Sequence, residues 1–452
     1  MEALTKQSLS APEADKQPLI GSLYYFFKNP YEFLLSNSRK YESVYKVSNP
    51  LRKVYVAHHP DAIKHVLQDN NKNYHKSFAY RILKILLGNG LLTSEGDFWR
   101  KQRRLAQPAF HRQRLANLFD LMLDFSTELA DDLERQIDSK AVNIAPQMME
   151  VTLKVVSKSL FSSDVDVHVS KVSGSLDVVL ESAMNRIRNP LHPPRWIPIP
   201  ANIKENKAVD ALNEVVRGII SSRRKSGEQK DDLLGMLMEA KDEETGEQMN
   251  DQQLVDECMT IFLAGHETSA VAMSWLLYCL AQNPDKCDKL YLEIDRVLEG
   301  RKPGIADLPQ LSYTKMVVDE ALRLYPPAWV IGRRSLGTDN IMGYDLPDDA
   351  NVLLPVFAVH RDPRWWDEPD KFIPERFNKE AIAARHKYAY FPFGGGPRLC
   401  IGNNFALMEM QILTAVLLQR FRFKLKEGFK PVMDPLITLR PRTGMWMHIE
   451  KR

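Results

Sequence analysis

Cysteine is scarce in this chain: 452 residues hold only Cys258, Cys279, Cys287 and Cys400. No two of them form a C-x-x-C pair, which argues against a zinc ribbon. Four widely spaced cysteines also make a poor disulfide framework, in keeping with a reducing compartment. An excess of one charge is missing too. The 61 basic and 58 acidic residues leave a net charge of +3, too even a balance to imply a nucleic-acid partner. The first 17 residues are polar and contain neither a signal core nor a spanning segment. A soluble, cytoplasmic protein with no transmembrane segment is expected. Internal repeats, low-complexity tracts and Gly/Ser linkers are also absent. The chain therefore reads as a polar arm over residues 1–17 and a single unit over 18–452, mainly α with small β-sheets.

Hydrophobic residues at 44% and charged residues at 26% are ordinary for a globular protein, and this length can bury a large core and a pocket. VYKVSNPLRKVYVA, from residue 44, reads as two short strands around a turn at Asn49-Pro50. From His111 to about residue 240 the apolar spacing is helical. Pro190, Pro193, Pro194, Pro198 and Pro200 crowd one loop between two helices. The longest predicted helix covers about residues 251–282 and stops at Asn283-Pro284.

That helix is apolar nearly all round, as suits the core of a large protein, but AGHETS (264–269) interrupts it. Ala264 and Gly265 lie one turn before Thr268, and Glu267 adjoins the hydroxyl. The ordinary reading is a core helix with a stray polar patch. The functional reading is a groove where small side chains admit a flat ligand and the acid and alcohol handle protons. Gly265 costs such a helix about 1 kcal/mol against Ala.

Three further segments follow. EALR places Glu320 and Arg323 at i, i+3, alone most often a surface ion pair. PERF adds Arg376, a second possible partner for the carboxylate. FGGGPRLCIG (393–402) gives up side-chain packing around Cys400. A thiolate is a soft metal ligand. A helix starting just after Cys400 favours the anion, and glycines let backbone N–H groups approach the sulfur. A structural cysteine is the usual case for a lone thiol, but it leaves the glycines unexplained.

The pattern F-x-x-G-x-R-x-C-x-G is complete in Phe393, Gly396, Arg398, Cys400 and Gly402. With AGHETS, EALR and PERF in that order, the chain resembles the cytochromes P450 over about residues 18–450. Variation at Pro397 and Leu399 is compatible with the pattern. The resemblance implies a mainly helical triangular prism holding haem b (iron protoporphyrin IX), with Cys400 as the iron ligand. It implies cofactor contacts at Trp99, Arg103, Ala264, Gly265, Phe393, Arg398 and Gly402, and proton delivery by Glu267 and Thr268. Glu320, Arg323 and Arg376 match the family's structural network at the haem site. The implied activity is oxygen activation and hydroxylation of a C–H bond.

No flavin-domain sequence follows residue 450, so electrons are expected from a ferredoxin or flavodoxin and its reductase. The cations of WRKQRR (99–104), with Arg112 and Arg114, form either a docking face for an acidic partner or a solvated helix face. Family pocket segments fall at 78–92, 184–187, 262–264, 328–331 and 436–439. Leu83, Leu86, Leu87, Phe262, Ala328, Trp329, Val330 and Ile437 make them apolar, which implies a small lipophilic substrate. Resemblance to bacterial fatty-acid and carotenoid hydroxylases suggests a long fatty acid, with Arg52 or Lys53 pairing its carboxylate, or an isoprenoid. The alternatives are a non-catalytic haem-thiolate sensor or ligand-binding protein, and a helical protein whose Cys400 is merely structural.

Overall fold

Asparagine 250 starts the longest helix. Its side chain accepts the Gln253 N–H at 2.9 Å, and the Gln253 side chain accepts the Asn250 N–H at 2.7 Å, a reciprocal cap that satisfies two otherwise orphan donors. The helix runs Asp251–Gln282, as the sequence predicts, and ends where Pro284 opens the next one, Pro284–Leu298. The structure is a computed structural model and describes residues 9–15, 22–49, 52–137, 140–162, 169–189, 191–228 and 230–452.

The contacts divide the chain into two units. One comprises Ile82–Ala321, Ile373–Glu375 and Ile401–Arg452. Here the Asp251–Gln282 helix packs against Ile144–Phe161, Pro200–Ser226 and Asn403–Arg420. Leu254, Leu276, Leu413 and Leu417 are fully buried in this core. The proline-rich loop separates Val169–Arg188 from Pro200–Ser226 as expected. Two small antiparallel sheets complete the unit. One joins Val142–Asn143, Trp446–Lys451 and Phe421–Leu425; the other is the hairpin Met433–Pro435/Leu439–Pro441.

The other unit comprises Met1–Arg81, Leu322–Phe372 and Arg376–Cys400. Its five-stranded sheet runs in the order Val44–Val47, Val54–Ala57, Asn351–Leu354, Ile331–Ser335, Tyr74–Lys76. Only the Val54–Ala57/Asn351–Leu354 pair is parallel. Ile63, Val66, Val352, Leu354 and Phe391 are buried together over it. Of the expected arm, residues 1–8 and 16–17 lie outside the described residues. Residues 9–15 are tied down by Leu9 N–H to Gly343 O at 3.0 Å and Ala14 N–H to Lys46 O at 2.9 Å. The chain is mainly α with small sheets, as expected. Among the described residues no helix is long and apolar enough to cross a membrane.

Candidate functional site

The glycine loop is held by its own backbone. The Cys400 N–H donates to Phe393 O at 3.0 Å and Leu399 N–H to Gly396 O at 3.1 Å. Gly394 and Gly396 have φ of +75° and +62°, the left-handed region that favours glycine. A β-carbon on Gly395 would lie 2.5 Å from the Tyr388 ring, and one on Gly396 would collide with the Leu67 carbonyl. The Tyr388 hydroxyl is fixed by Gln68 Oε1 at 2.9 Å. Close approach is what these two glycines provide, and the neighbours crowding them are Tyr388 and Leu67. The Cys400 thiol is exposed, whereas Cys258 and Cys279 are buried. Gly402 caps the Asn403–Arg420 helix, so the thiol sits two residues before its positive end.

Histidine 360 links this loop to the EALR helix, Ser312–Leu324. Its Nδ1 lies 3.2 Å from Arg323 O, and its Nε2 accepts the Phe391 N–H at 2.9 Å. These partners require the proton on Nδ1. Complete burial, with the Arg323 charge beside it, holds the ring neutral, its pKa far below the ordinary value. Arg323 donates to the carbonyls of His360, Pro369 and Lys371 at 2.7, 2.7 and 2.9 Å, over the face of Trp366. Arg376 donates to Glu368 O at 2.8 Å, so the two arginines clamp the turn at 368–371. Glu320, one turn before Arg323, accepts the Ile373 N–H at 2.7 Å. Glu320 and Arg323 are both fully buried, not the surface pair that their spacing alone suggests.

On the long helix, every residue from Leu254 to Leu280 is buried except Ala264, Gly265, Thr268 and Tyr278. Ala264, Gly265 and Thr268, within one turn, leave this stretch of the helix partly uncovered. The Thr268 hydroxyl donates to Ala264 O at 2.6 Å. A β-carbon on Gly265 would meet Val156 at 2.9 Å, so its smallness permits packing against the Ile144–Phe161 helix. Thr152 on that helix donates to His266 O at 2.9 Å. Burial, helped by the Arg440 charge, pushes His266 down to about 4, so the ring is neutral. Glu267 is buried, and its Oε1 accepts from Thr438 Oγ1 and Arg440 Nε, both at 2.5 Å.

Trp99 and Arg103 lie one turn apart on the Gly96–Ala106 helix, Trp99 buried and Arg103 half-buried. The expected basic face is largely neutralised within the chain. Arg100 pairs with Asp97 at 2.7 Å, Lys101 with Glu247, Arg104 with Asp242 and Glu244 at 2.9 Å each, and Arg114 with Asp231 at 3.4 Å. The Arg112 side chain lies outside the described residues. Among the expected lining residues, Leu83, Leu86, Leu87 and Phe262 are buried, while Ala328, Val330 and Ile437 are half-buried. Trp329 is also buried, beside Phe357 with ring centroids 5.9 Å apart. Lys53 pairs with Asp348 at 3.1 Å. The Arg52 guanidinium instead lies 3.3 Å over the Phe78 ring.

His360, Thr438 and Arg440 carry no local sequence signal. Each acts through a partner at least 31 positions away.

A family model described as Cytochrome P450 matches residues 12–447. Cyclooctatin synthase of Streptomyces melanosporofaciens is 34% identical over 430 residues, 95% of this chain and 91% of that protein. Cyclooctat-9-en-7-ol 5-monooxygenase of the same organism is 32% identical over 412 residues, covering 90% and 88%. Pentalenene oxygenase of Streptomyces avermitilis is 30% identical over 406 residues, covering 90% and 89%.

Proposed function

The chain belongs to the cytochrome P450 family, a family of haem b monooxygenases, and on that premise we propose that it hydroxylates a lipophilic, isoprenoid-like molecule, with Cys400 as the residue that would hold the haem iron. The carrying observation is the Cys400 thiol, exposed beside a helix N-terminus on a loop whose conformation requires glycine. That donor set fits a haem. A cysteine sulfur beside a helix N-terminus is a soft ligand suited to iron. Arg398 and Arg103, both half-buried, supply guanidinium groups suited to two carboxylates. Trp99, Phe393, Gly402 and the small Ala264 and Gly265 are the further proposed cofactor contacts.

When bound, the haem supplies dioxygen activation, with the thiolate pushing electron density toward O–O cleavage. The protein's part is to place the ligand, the carboxylate partners and the protons. Thr268 is the proposed proton-handling group. The residue is half-buried, and its hydroxyl already donates to Ala264 O. A hydroxyl can accept one proton and pass on another without leaving its rotamer. Arg323, Glu320, Arg376 and His360 hold the backbone of residues 360–373 and are proposed to take no part in the chemistry. Residues 18–452 are taken to work as one catalytic domain in the cytoplasm. Electrons come from a separate ferredoxin or flavodoxin with its reductase.

Leu83, Leu86, Leu87, Phe262, Ala328, Val330 and Ile437 are proposed to form an apolar lining. The relatives' names refer to pentalenene and cyclooctat-9-en-7-ol, an alkene and an alkenol without a carboxylate. They favour the isoprenoid side of the expectation over a fatty acid. Should a carboxylate be bound, Arg52 is the better placed of the two cations, because Lys53 is already paired with Asp348.

The test has two parts. Dithionite-reduced protein should give a strongly red-shifted Soret band with carbon monoxide; an ordinary haem–CO band would reject Cys400 as the ligand. A substrate titration should then shift the resting Soret band with isoprenoid alkenes and alcohols. A shift with long-chain fatty acids alone, abolished by Arg52→Ala, would reject the isoprenoid assignment. Oxygen uptake with electrons but no product from any shifting ligand would favour the sensor reading.

A further inference from the structure

The hairpin Met433–Pro435/Leu439–Pro441 pairs three residues with three, and among the described residues no other strand joins it. Two short strands by themselves are marginal in water, so this ribbon depends on what holds it from outside. The Asp251–Gln282 helix supplies two anchors, two turns apart on one face. Trp275 donates its indole N–H to Leu439 O at 2.7 Å. Glu267 receives Thr438 Oγ1 and Arg440 Nε on one carboxylate oxygen, both at 2.5 Å. Arg440 also reaches Asp177 on the Val169–Arg188 helix at 3.5 Å.

We propose that Glu267 is a positioning residue that fixes the 433–441 hairpin, and with it Ile437, so that it governs substrate orientation and not proton delivery. The chemistry supports this division of labour. The Thr438 hydroxyl and the Arg440 guanidinium are both spent on one oxygen of a buried carboxylate, which makes it a charge-assisted anchor. Glu267 is also buried, whereas its neighbour Thr268 opens outward. Ile437 lies at the hairpin turn, next in sequence to Thr438. Loosening the anchor therefore moves Ile437 directly. The consequence for substrate rests on the proposed lining role of Ile437; the anchoring itself does not.

The experiment compares Glu267→Gln, Arg440→Met, their double variant, Ile437→Ala and wild type as purified holoenzyme. Amide hydrogen exchange over 433–441 reads the anchor without turnover. Each single variant should exchange about tenfold faster there, and the double variant no faster than the singles, because both break one interaction. Product isomer ratio should change in both single variants, while the fraction of electrons lost as peroxide stays at the wild-type value. Wild-type exchange in Glu267→Gln would overturn the proposal. So would a raised peroxide fraction in Glu267→Gln that Arg440→Met does not share. An unchanged isomer ratio in Ile437→Ala would instead reject the lining role of Ile437 and leave the anchor to be judged on exchange alone.

Discussion

Gly396 lies so close to Leu67 that a β-carbon on it would fall on the Leu67 carbonyl oxygen. The loop before Cys400 is thereby seated directly on the π-helical turn His65–Asp69. Backbone meets backbone there, so neither side can yield by turning a side chain. With φ at +62°, Gly396→Ala combines a steric collision with left-handed strain. The expected cost is roughly 3 kcal/mol. Haem content after purification should fall with the melting temperature. A variant with full haem content and unchanged melting would show that the loop is not seated in this way.

Thr268→Ala removes the hydroxyl on the helix opening and its bond to Ala264 O. The helix itself should hold, since Ala is the better helix former and the lost bond is a local back-bond. The expected outcome is near-normal melting and near-normal substrate-induced spectral shift. Most reducing equivalents should be lost as peroxide. Thr268→Ser should restore much of the coupling. Full coupling in Thr268→Ala would remove the proton role from this residue.

Glu409 is a fully buried carboxyl on the Asn403–Arg420 helix. Burial pushes its pKa up to about 8, and the neighbouring Ser269 hydroxyl offsets only part of this. The folded state thus keeps a proton that the unfolded chain gives up near its ordinary pKa of 4.5. Between these values the native state binds more protons than the unfolded one, so this group lowers stability as pH rises from about 4.5 to about 8. Glu409→Gln, a mimic of the protonated form, should flatten that slope and gain a few kcal/mol near neutrality. Urea unfolding of both proteins at pH 5, 6, 7 and 8 checks it. Parallel pH profiles would show that Glu409 does not titrate in this range.

The cations of the Gly96–Ala106 helix are mostly committed to carboxylates of the chain itself. Arg104 is bound to Asp242, whose side chain is fully buried. Arg104→Ala strips the partner from this carboxylate, so its main effect should be a lower melting temperature. Electron transfer from an acidic ferredoxin should change little in Arg100→Ala and Lys101→Ala, with a shallow dependence on ionic strength. A fall of tenfold or more in the ferredoxin-supported rate for either, with stability unchanged, would restore this helix as the docking face.

The long helix was legible to within its caps, because every signal that bounds it is local. Asn250 and Gln253 cap each other across three residues, and Pro284 ends the pattern. The cysteine loop was legible for a similar reason: its order Phe393, Gly396, Arg398, Cys400, Gly402 lies within ten positions. Glu320 and Arg323 were found as a pair but not as buried groups, since spacing gives contact along a helix and says nothing of what covers it.

By itself the sequence determined the helical elements, the family, the candidate thiolate and the Glu267-Thr268 dipeptide, all of which are encoded by residues near one another in the chain. Tertiary structure alone decided what these residues face. Gly265 admits Val156, Gly396 admits Leu67, and Arg104 is spent on Asp242. Glu267 meets Arg440 across 173 positions of sequence. Adjacent in the chain, Glu267 and Thr268 differ by about 100° around the helix axis, so one is buried in an ion pair while the other opens outward. That angle follows from helix geometry, but which side is packed depends on elements folded in from far along the chain.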